Sequence, residues 1–316
     1  MSALTIKSCF ELLCGIGLFL FGIHIMGEGL QKAAGEKLKS LLSALTQNRF
    51  MSVLVGFIVT AIIQSSTATT VMAVGFVNVG LMTLRQSVGV IMGANIGTTV
   101  TSVLIAIDFS QIAPLAVFLG AMTVMFVKNE KIKTAAEIVT GFGLLFFGMN
   151  VMSVSMEPLR DFQPLQHFLT HNNNALSGII IGTVMTALIQ SSSASVGVLQ
   201  TLALKGLIPL RFAIYVLYGQ NIGTVFTAML SAIGANANAK RAGMIHLLFN
   251  VVGTILFMPL MVAIPFESMI EKISSNPSAQ ISAVHIIFNV ASTVIMFPFA
   301  KQLEQAAVIL VPDKKK

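Results

Sequence analysis

The chain has 316 residues, of which 55% are hydrophobic and only 10% are charged, and its mean hydropathy is +0.87. A soluble domain carries about 25% charged residues. The composition therefore excludes an ordinary soluble protein and predicts an all-α, polytopic membrane protein. The formal net charge of +7 would suit a nucleic-acid partner, but in a membrane protein it more often reflects loops that face anionic lipid, so we expect no nucleic acid.

Seven segments are predicted as full membrane spans because each is about 20 residues long and predominantly apolar. They are residues 9–28, 86–107, 111–127, 134–153, 211–232, 241–263 and 281–300. The first carries Glu11 and lacks a small-residue cleavage site, which favours a permanent span over a signal peptide. Residues 30–45 and 157–169 are expected to be amphipathic helices at the membrane surface.

The tripeptide Gln-Ser-Ser occurs twice, beginning at Gln64 and at Gln190, and the flanking sequence repeats in the same register. A second block, Asn-Ile-Gly-Thr, begins at Asn95 and again at Asn221, at the same spacing of 126 residues. Such self-similarity is typical of transporters that are built from internal repeats. The predicted organisation is repeat one at residues 1–128, repeat two at 129–263, and a C-terminal span with a short cytoplasmic tail at 264–316.

Each Gln-Ser-Ser motif lies between two apolar segments that are too short to cross about 30 Å of hydrocarbon as helices. The segments are 50–63 and 69–82 in repeat one, and 175–189 and 194–206 in repeat two. We therefore predict two re-entrant helical hairpins, at about 50–82 and 175–206, with the motif at each tip.

The number of full crossings in each repeat is odd, which predicts that the second repeat is inverted in the membrane. In that topology the 19 Lys and Arg residues divide 14 to 5 between the two sides. The positive-inside rule then places the N-terminus outside and the C-terminus in the cytoplasm. We expect the protein in the cell's inner (plasma) membrane. The hairpins would enter from opposite sides and meet near the midplane.

The hairpin tips have the chemistry of an ion site. A helix that begins within the membrane presents free N–H groups and a partial positive charge, which favour an anion. Carboxamides and hydroxyls can donate to an anion, and their oxygens, with backbone carbonyls, can also bind a small hard cation such as sodium. Neither tip contains Arg, Lys, Asp or Glu, so a multiply charged anion needs co-bound cations. These properties predict cation-coupled symport.

Other polar residues in the spans leave alternatives open. Asn95 and Asn221 could belong to the site or brace the hairpins by hydrogen bonds. The strings His-Leu-Leu-Phe-Asn (246–250) and His-Ile-Ile-Phe-Asn (285–289) could line the permeation path, but hydrogen bonding between helices is the favoured interpretation. His24 is expected to be a helix-packing residue.

The doubled motif resembles the signature of the type II sodium-dependent phosphate cotransporter family, a Gln-Ser-Ser-Ser or Gln-Ser-Ser-Thr hairpin present twice, each followed by Asn-Ile-Gly-Thr. The similarity covers roughly residues 10–300. It implies inorganic phosphate as substrate, co-transported sodium and no other cofactor. It implies phosphate binding by Gln64, Ser65, Ser66, Thr67, Gln190, Ser191, Ser192 and Ser193. It implies sodium binding by Gln64, Ser66, Thr69, Gln190, Ser192, Ser195, Asn95, Thr98, Asn221 and Thr224. A homodimer and an external PhoU-like regulator are compatible with the resemblance.

Four other functions are alternatives to sodium-coupled transport. An anion channel would conduct phosphate without coupling, and a proton-coupled carrier would not need sodium. A membrane scaffold would not need a duplicated polar site. An intramembrane lipid-diphosphate phosphatase would need a general acid or base and usually an arginine on the phosphate, and the hairpins carry neither. We therefore expect a transporter and no enzyme.

Overall fold

The computed structural model describes residues 3–35, 48–159, 163 and 174–313, and within them the regular secondary structure is helical. The first half contains α1 (Ala3–Ala34), α2 (Arg49–Ile63), α3 (Ser66–Asn78), α4 (Leu84–Ala106), α5 (Ala113–Phe126) and α6 (Glu130–Ser155). The second half contains α7 (Ala175–Ile189), α8 (Ser192–Leu204), α9 (Leu210–Gly223), α10 (Val225–Ser231), α11 (Ala237–Ala263), α12 (Phe266–Ile273), α13 (Pro277–Met296) and α14 (Ala300–Leu310).

Five helices of the described part are long and apolar enough to span a membrane: α1, α4, α6, α11 and α13. Two of the seven predicted spans are therefore wrong as single full-length helices. Residues 111–127 form α5, which has only 14 residues and begins at a proline-containing turn. Residues 211–232 divide into α9 and α10 at the single residue Thr224, whose backbone stays in the right-handed helical region with φ −58° and ψ −28°.

The predicted surface helices lie largely outside the described residues. Residues 30–34 of the first one belong to the end of α1, and residues 36–47 are not described. In the second, Glu157–Leu159 form a 3-10 turn, and residues 160–162 and 164–169 are not described. Residues 300–310, which include the end of the last predicted span and the start of the predicted tail, form α14.

Helices α1 and α6 pack antiparallel through glycines. A Cβ on Gly22 would lie 2.7 Å from the carbonyl oxygen of Gly141, and a Cβ on Gly141 would lie 2.7 Å from that of Gly22. The same reciprocal contact joins Gly15 and Gly148, at 3.0 and 2.8 Å. Since the residue numbers rise in α1 as they fall in α6, the two helices run in opposite directions.

The first leg of each hairpin lies directly on the backbone of a longer helix, α2 on α4 and α7 on α9. A Cβ at any of four glycines would lie 1.9–2.2 Å from a carbonyl oxygen of the facing helix, so no other residue fits there. The glycines are Gly56 and Gly93 in the first half and Gly182 and Gly219 in the second. Because these positions are equivalent in the two repeats, both hairpins are supported in the same way.

The hairpins are enclosed by two sets of helices. On one side, α1 and α6 pack on each other and contact α2 and α8. On the other side, α11 packs against α3 and α4, and α13 packs against α4, α8 and α9. This arrangement places the hairpin tips in the interior of the protein.

Candidate functional site

The two hairpins turn with the same backbone geometry. Gln64 has φ 55° and ψ 26°, and Gln190 has φ 57° and ψ 20°. In the described part of the chain these are the only residues other than glycine with positive φ. The left-handed conformation costs an ordinary residue about 1–2 kcal/mol. Glycine would avoid that cost, so the glutamine side chains have a role that the turn itself does not require.

Hydroxyl groups hold each tip together. The Ser65 hydroxyl accepts a hydrogen bond from the N–H of Ala68 at 3.1 Å and caps α3, and Ser191 caps α8 in the same way. The two legs of hairpin one are joined by Thr60 Oγ1 donating to Thr69 Oγ1 at 2.8 Å. In hairpin two, Thr186 Oγ1 donates to Ser195 Oγ at 2.7 Å. Thr69 and Ser195, predicted to bind sodium, therefore connect the legs in the present structure.

The two tips meet in space. The hydroxyl oxygens of Ser66 and Ser192, which are equivalent residues of the two repeats, lie 3.4 Å apart and are buried. One cavity of about 450 Å³ is lined by both tips and by α1. All eight predicted phosphate ligands line it: Gln64, Ser65, Ser66, Thr67, Gln190, Ser191, Ser192 and Ser193.

The cavity has the donors that an anion needs. The N-termini of α3 and α8 both lie at the tips, and their partial positive charges act at this point. Ser66 and Thr67 are the first residues of α3, and the N–H groups of a helix's first turn have no partner within the helix. No lysine or arginine of the described residues lines the cavity, and α1 contributes the carboxylate of Glu28. A phosphate here would therefore depend on backbone dipoles, hydroxyls and co-bound cations.

The carboxamide of Gln64 is oriented as an acceptor. Its Nε2 donates to the carbonyl of Ala61, and its Oε1 is buried without a partner in the described part of the chain. A free carbonyl-type oxygen suits a cation better than an anion. In this conformation Gln64 therefore fits the predicted sodium ligand better than the predicted phosphate ligand.

Four further predicted sodium ligands lie on α4 (Asn95 and Thr98) and at the end of α9 (Asn221 and Thr224), and like Thr69 and Ser195 they do not line the cavity. Asn95 and Asn221 are buried, and the Nδ2 of each donates to the carbonyl four residues earlier in its own helix, at 2.9 and 3.0 Å. Thr98 and Thr224 donate in the same way. Asn221 does not brace the hairpin by any hydrogen bond among the described residues; its neighbour Gln220 does, donating to the Ser195 carbonyl at 2.9 Å.

Three cavity residues were missed by the sequence interpretation: His24, Glu28 and Gln31 of α1. His24 was expected to pack between helices, but its Nε2 lies 3.3 Å from a carboxylate oxygen of Glu28, and its side chain is 64% exposed. The spacing of four and then three residues places all three on one face of α1. That polar face within an apolar helix was the signal that could have identified them.

Comparisons with known proteins identify the family of this chain. A model of the family described as "Na+/Pi-cotransporter" matches residues 18–154 and 161–311. YqeW, an uncharacterised protein of Bacillus subtilis (strain 168), is 30% identical over 94% of this chain and 96% of its own length. No solved structure was found to match the chain.

Two further relatives have functional names. YjbB of Escherichia coli (strain K12), named provisionally for inorganic phosphate export, is 28% identical over 79% of this chain, which spans only 46% of that relative. The human sodium-dependent phosphate transport protein 2B is 31% identical over 91 residues, 28% of this chain and 13% of the relative. The family match extends over most of the chain and includes both hairpins, and we conclude that this protein belongs to the Na+/Pi-cotransporter family.

Proposed function

We propose that the protein is a sodium-coupled symporter that imports inorganic phosphate and binds its substrates between the two hairpin tips. The observation that carries this proposal is the contact between Ser66 and Ser192 at the wall of one cavity that both tips line. Membership of the Na+/Pi-cotransporter family supports phosphate as substrate and sodium as the coupling ion.

The charge distribution of the cavity supports coupling. Phosphate carries one to two negative charges near neutral pH, and burying them without compensation is costly. The described cavity wall offers helix N-termini and hydroxyls but no Lys or Arg, and Glu28 adds a negative charge. Bound sodium ions would supply the missing positive charge, so phosphate and sodium would bind best together.

We propose that the two repeats have inverted topology. The contacts Gly15–Gly148 and Gly22–Gly141 are equivalent under the repeat. Gly15 of repeat one corresponds to Gly141 of repeat two, and Gly148 of repeat two corresponds to Gly22 of repeat one, each at the spacing of 126 residues. Such reciprocity is the mark of a two-fold axis. Because α1 and α6 are antiparallel and α1 is long enough to span, the axis would lie in the membrane plane, as in transporters with inverted repeats.

The cavity lies on one side of that axis. Its α1 residues run from Leu20 to Gln31, the C-terminal half of the helix, and in the described part of the chain no residue of α6 lines it. With the N-terminus outside, as the positive-inside rule predicts, this half of α1 faces the cytoplasm. The structure would then be an inward-facing state of an alternating-access cycle, in the plasma membrane.

The test is phosphate uptake into proteoliposomes under an inward sodium gradient, compared with the same gradient of potassium. We expect phosphate to accumulate above its equilibrium level only with sodium. Equal uptake with both cations would contradict coupling and favour the anion channel. Accumulation driven by an inward proton gradient in the absence of sodium would identify a proton-coupled carrier.

Phosphate export is the second candidate, because the Escherichia coli and Salmonella typhimurium relatives are named for it. A coupled carrier is reversible, and the gradients decide its direction. We expect phosphate-loaded proteoliposomes to lose phosphate faster when sodium is inside than when potassium is inside. Sodium-independent efflux combined with no sodium-driven uptake would favour a dedicated exporter.

A further inference from the structure

Asn250 of α11 and Asn289 of α13 are two buried residues that the proposed site does not use. Both are 0% exposed. Their Nδ2 atoms donate to carbonyls of their own helices, to His246 at 3.0 Å and to His285 at 2.9 Å. A backbone carbonyl can only accept, so the Nδ2 orientation is fixed and Oδ1 is the free end of each carboxamide.

Neither free oxygen is satisfied. Asn250 Oδ1 and Asn289 Oδ1 are buried and have no hydrogen-bond partner among the described residues. The hydrogen bonding between helices that was expected for these residues is not found there, since each carboxamide bonds only its own helix. A buried acceptor without a donor destabilises a fold unless water or an ion occupies it.

Asn250 lies at the level of the first hairpin tip. The N–H and Nδ2 of Asn236, at the start of α11, donate to Asn78 at the end of α3, at 2.9 and 2.7 Å. Because α3 and α11 pack side by side from that contact, they run antiparallel. At 1.5 Å per residue, Ser66 is about 18 Å from Asn78 along α3, and Asn250 is about 21 Å from Asn236 along α11.

Asn289 lies at the level of the second tip. Gln200 of α8 donates to the Ser278 carbonyl at 3.0 Å and to Ser282 Oγ at 2.9 Å. The end of α8 and the start of α13 lie at the same end of the protein, since the ion pair between Arg211 and Glu267 joins the segments next to them. The helices are therefore antiparallel. Ser192 lies about 12 Å from Gln200 along α8, and Asn289 lies about 10 Å from Ser282 along α13.

The predicted sodium ligand Asn95 lies at the level of Asn289. Ser102 of α4 contacts Ser282 at 2.9 Å, and Val88 and Met296 share one core cluster, so α4 and α13 are antiparallel. Asn95 precedes Ser102 by seven residues, and Asn289 follows Ser282 by seven. Each of these two asparagines uses its Nδ2 on its own helix and leaves Oδ1 as an acceptor.

We propose that Asn250 and Asn289 each supply a carboxamide oxygen to a further co-transported sodium ion, additional to sodium bound between the tips, with one ion behind each hairpin tip on the side away from the cavity. This inference rests on the proposed function. Neutral oxygens that replace the hydration shell are the ligands by which proteins bind monovalent cations. The described residues contain no group of three or more His, Cys, Asp or Glu that could hold a divalent metal. Sodium behind each tip would reinforce the positive N-termini that face phosphate.

The test is the sodium dependence of phosphate uptake by Asn250→Leu and Asn289→Leu, with Asn250→Asp and Asn289→Asp as oxygen-retaining variants. We expect each leucine variant to need at least about 10-fold more sodium for half-maximal uptake, and each aspartate variant to need no more sodium than the wild type. The matched control is Thr254→Val, which removes a buried hydroxyl that bonds only the Asn250 carbonyl among the described residues. It should shift sodium dependence by less than about 2-fold.

A second measurement separates binding from folding: the stabilisation of each purified variant by sodium chloride relative to choline chloride, followed by thermal unfolding. The leucine variants should fold and lose most of the sodium-specific stabilisation. Wild-type sodium dependence in both leucine variants would overturn this inference while leaving symport intact. If the wild type itself shows no sodium-dependent uptake, the proposed function fails, but sodium-specific stabilisation lost in the leucine variants would still support the two sites.

Discussion

The two hairpins have the same tip but different surroundings. In hairpin two, residues 192–200 are all buried, whereas in hairpin one Thr67, Ala68 and Val71 are half-exposed. The reason is the contact of α8 with α1 and α6: a Cβ on Gly197 would lie 2.2 Å from the ring of Phe19, and Ala194 and Val198 join the core of α1 and α6. The cavity is lined by both tips and by α1.

This comparison separates two roles. The Gln-Ser-Ser motif determines how the chain turns, since φ at Gln64 and Gln190 differs by only 2° (55° and 57°). The neighbouring residues determine how closely a hairpin packs on α1 and α6. Glycine at 197 admits the Phe19 ring, and the equivalent residue of hairpin one is Val71. We infer that such differences in packing leave the second leg of hairpin two more buried than that of hairpin one.

The largest effect is expected from Gln64→Gly and Gln190→Gly, which test whether the tips are functionally equal. Glycine keeps the left-handed turn and removes the carboxamide, so folding should be preserved or improved by about 1 kcal/mol. Uptake should fall at least about 100-fold in both variants, because a carboxamide that lines the cavity is lost in each. Uptake and thermal unfolding would be measured on the same preparations. Retained uptake in either variant would show that only one tip is needed.

Gly93→Ala and Gly219→Ala test whether the hairpins are supported equally. Each new Cβ would meet a backbone carbonyl oxygen at 1.9–2.0 Å, and no side-chain rotation can relieve that contact. We expect a loss of about 3 kcal/mol of stability in each variant. The control is Gly75→Ala, where a Cβ meets nothing within 4 Å and helix propensity should stabilise by about 0.5–1 kcal/mol. Wild-type stability in both tight variants would contradict the close packing.

Gly197→Val and Val71→Gly exchange the residues that distinguish the hairpins. Gly197→Val should separate α8 from Phe19, and Val71→Gly should allow hairpin one to approach α1 and α6. The readout is the rate of thiol labelling of a cysteine placed at Gln31, which lines the cavity. We expect this rate to change by about 3- to 10-fold, in opposite directions for the two variants, because each variant shifts the population of the state in which the cavity is open. The background replaces the free cysteines Cys9 and Cys14 with serine. Unchanged labelling in both variants would show that the packing difference between Gly197 and Val71 does not control the open state.

The smallest effect is expected from Glu28→Gln, which removes the carboxylate that α1 contributes beside hairpin one. Its negative charge opposes an anion in the cavity, but the side chain is 53% exposed and its field is screened. Phosphate affinity should improve by about 2- to 5-fold, with less gain at high salt. The equivalent residue in repeat two is Val154, so hairpin two has no matching carboxylate. Weaker phosphate binding by Glu28→Gln would contradict this prediction and would show that Glu28 is a cation ligand.

The sequence was sufficient where one local signal determined the structure. The first legs begin at Arg49 and Ala175, within one residue of prediction, and both end where the apolar run meets a glutamine. The second legs begin at Ser66 and Ser192, two to three residues before the predicted apolar segments, because Ser65 and Ser191 cap them. A capped helix begins with polar residues, and a prediction from hydropathy alone leaves those residues out of the helix.

The sequence was insufficient where contacts between residues distant in the chain determined the structure. Hydropathy reads residues 211–232 as one span, and the residue at which the segment divides, Thr224, keeps right-handed helical backbone angles. The contact of Ser66 with Ser192 and the polar face of α1 at His24 depend on how distant helices are arranged. The packing difference between Gly197 and Val71 could be read from the sequence, but its consequence required the position of Phe19.

The central claim is that both hairpins form one phosphate site, and equilibrium binding of radiolabelled phosphate to purified protein in saturating sodium tests it most directly. We predict one phosphate per chain in the wild type, and loss of binding in Gln64→Gly and in Gln190→Gly alike. Two phosphates per chain, with one retained by each single variant, would mean that each hairpin has its own site and would contradict the claim.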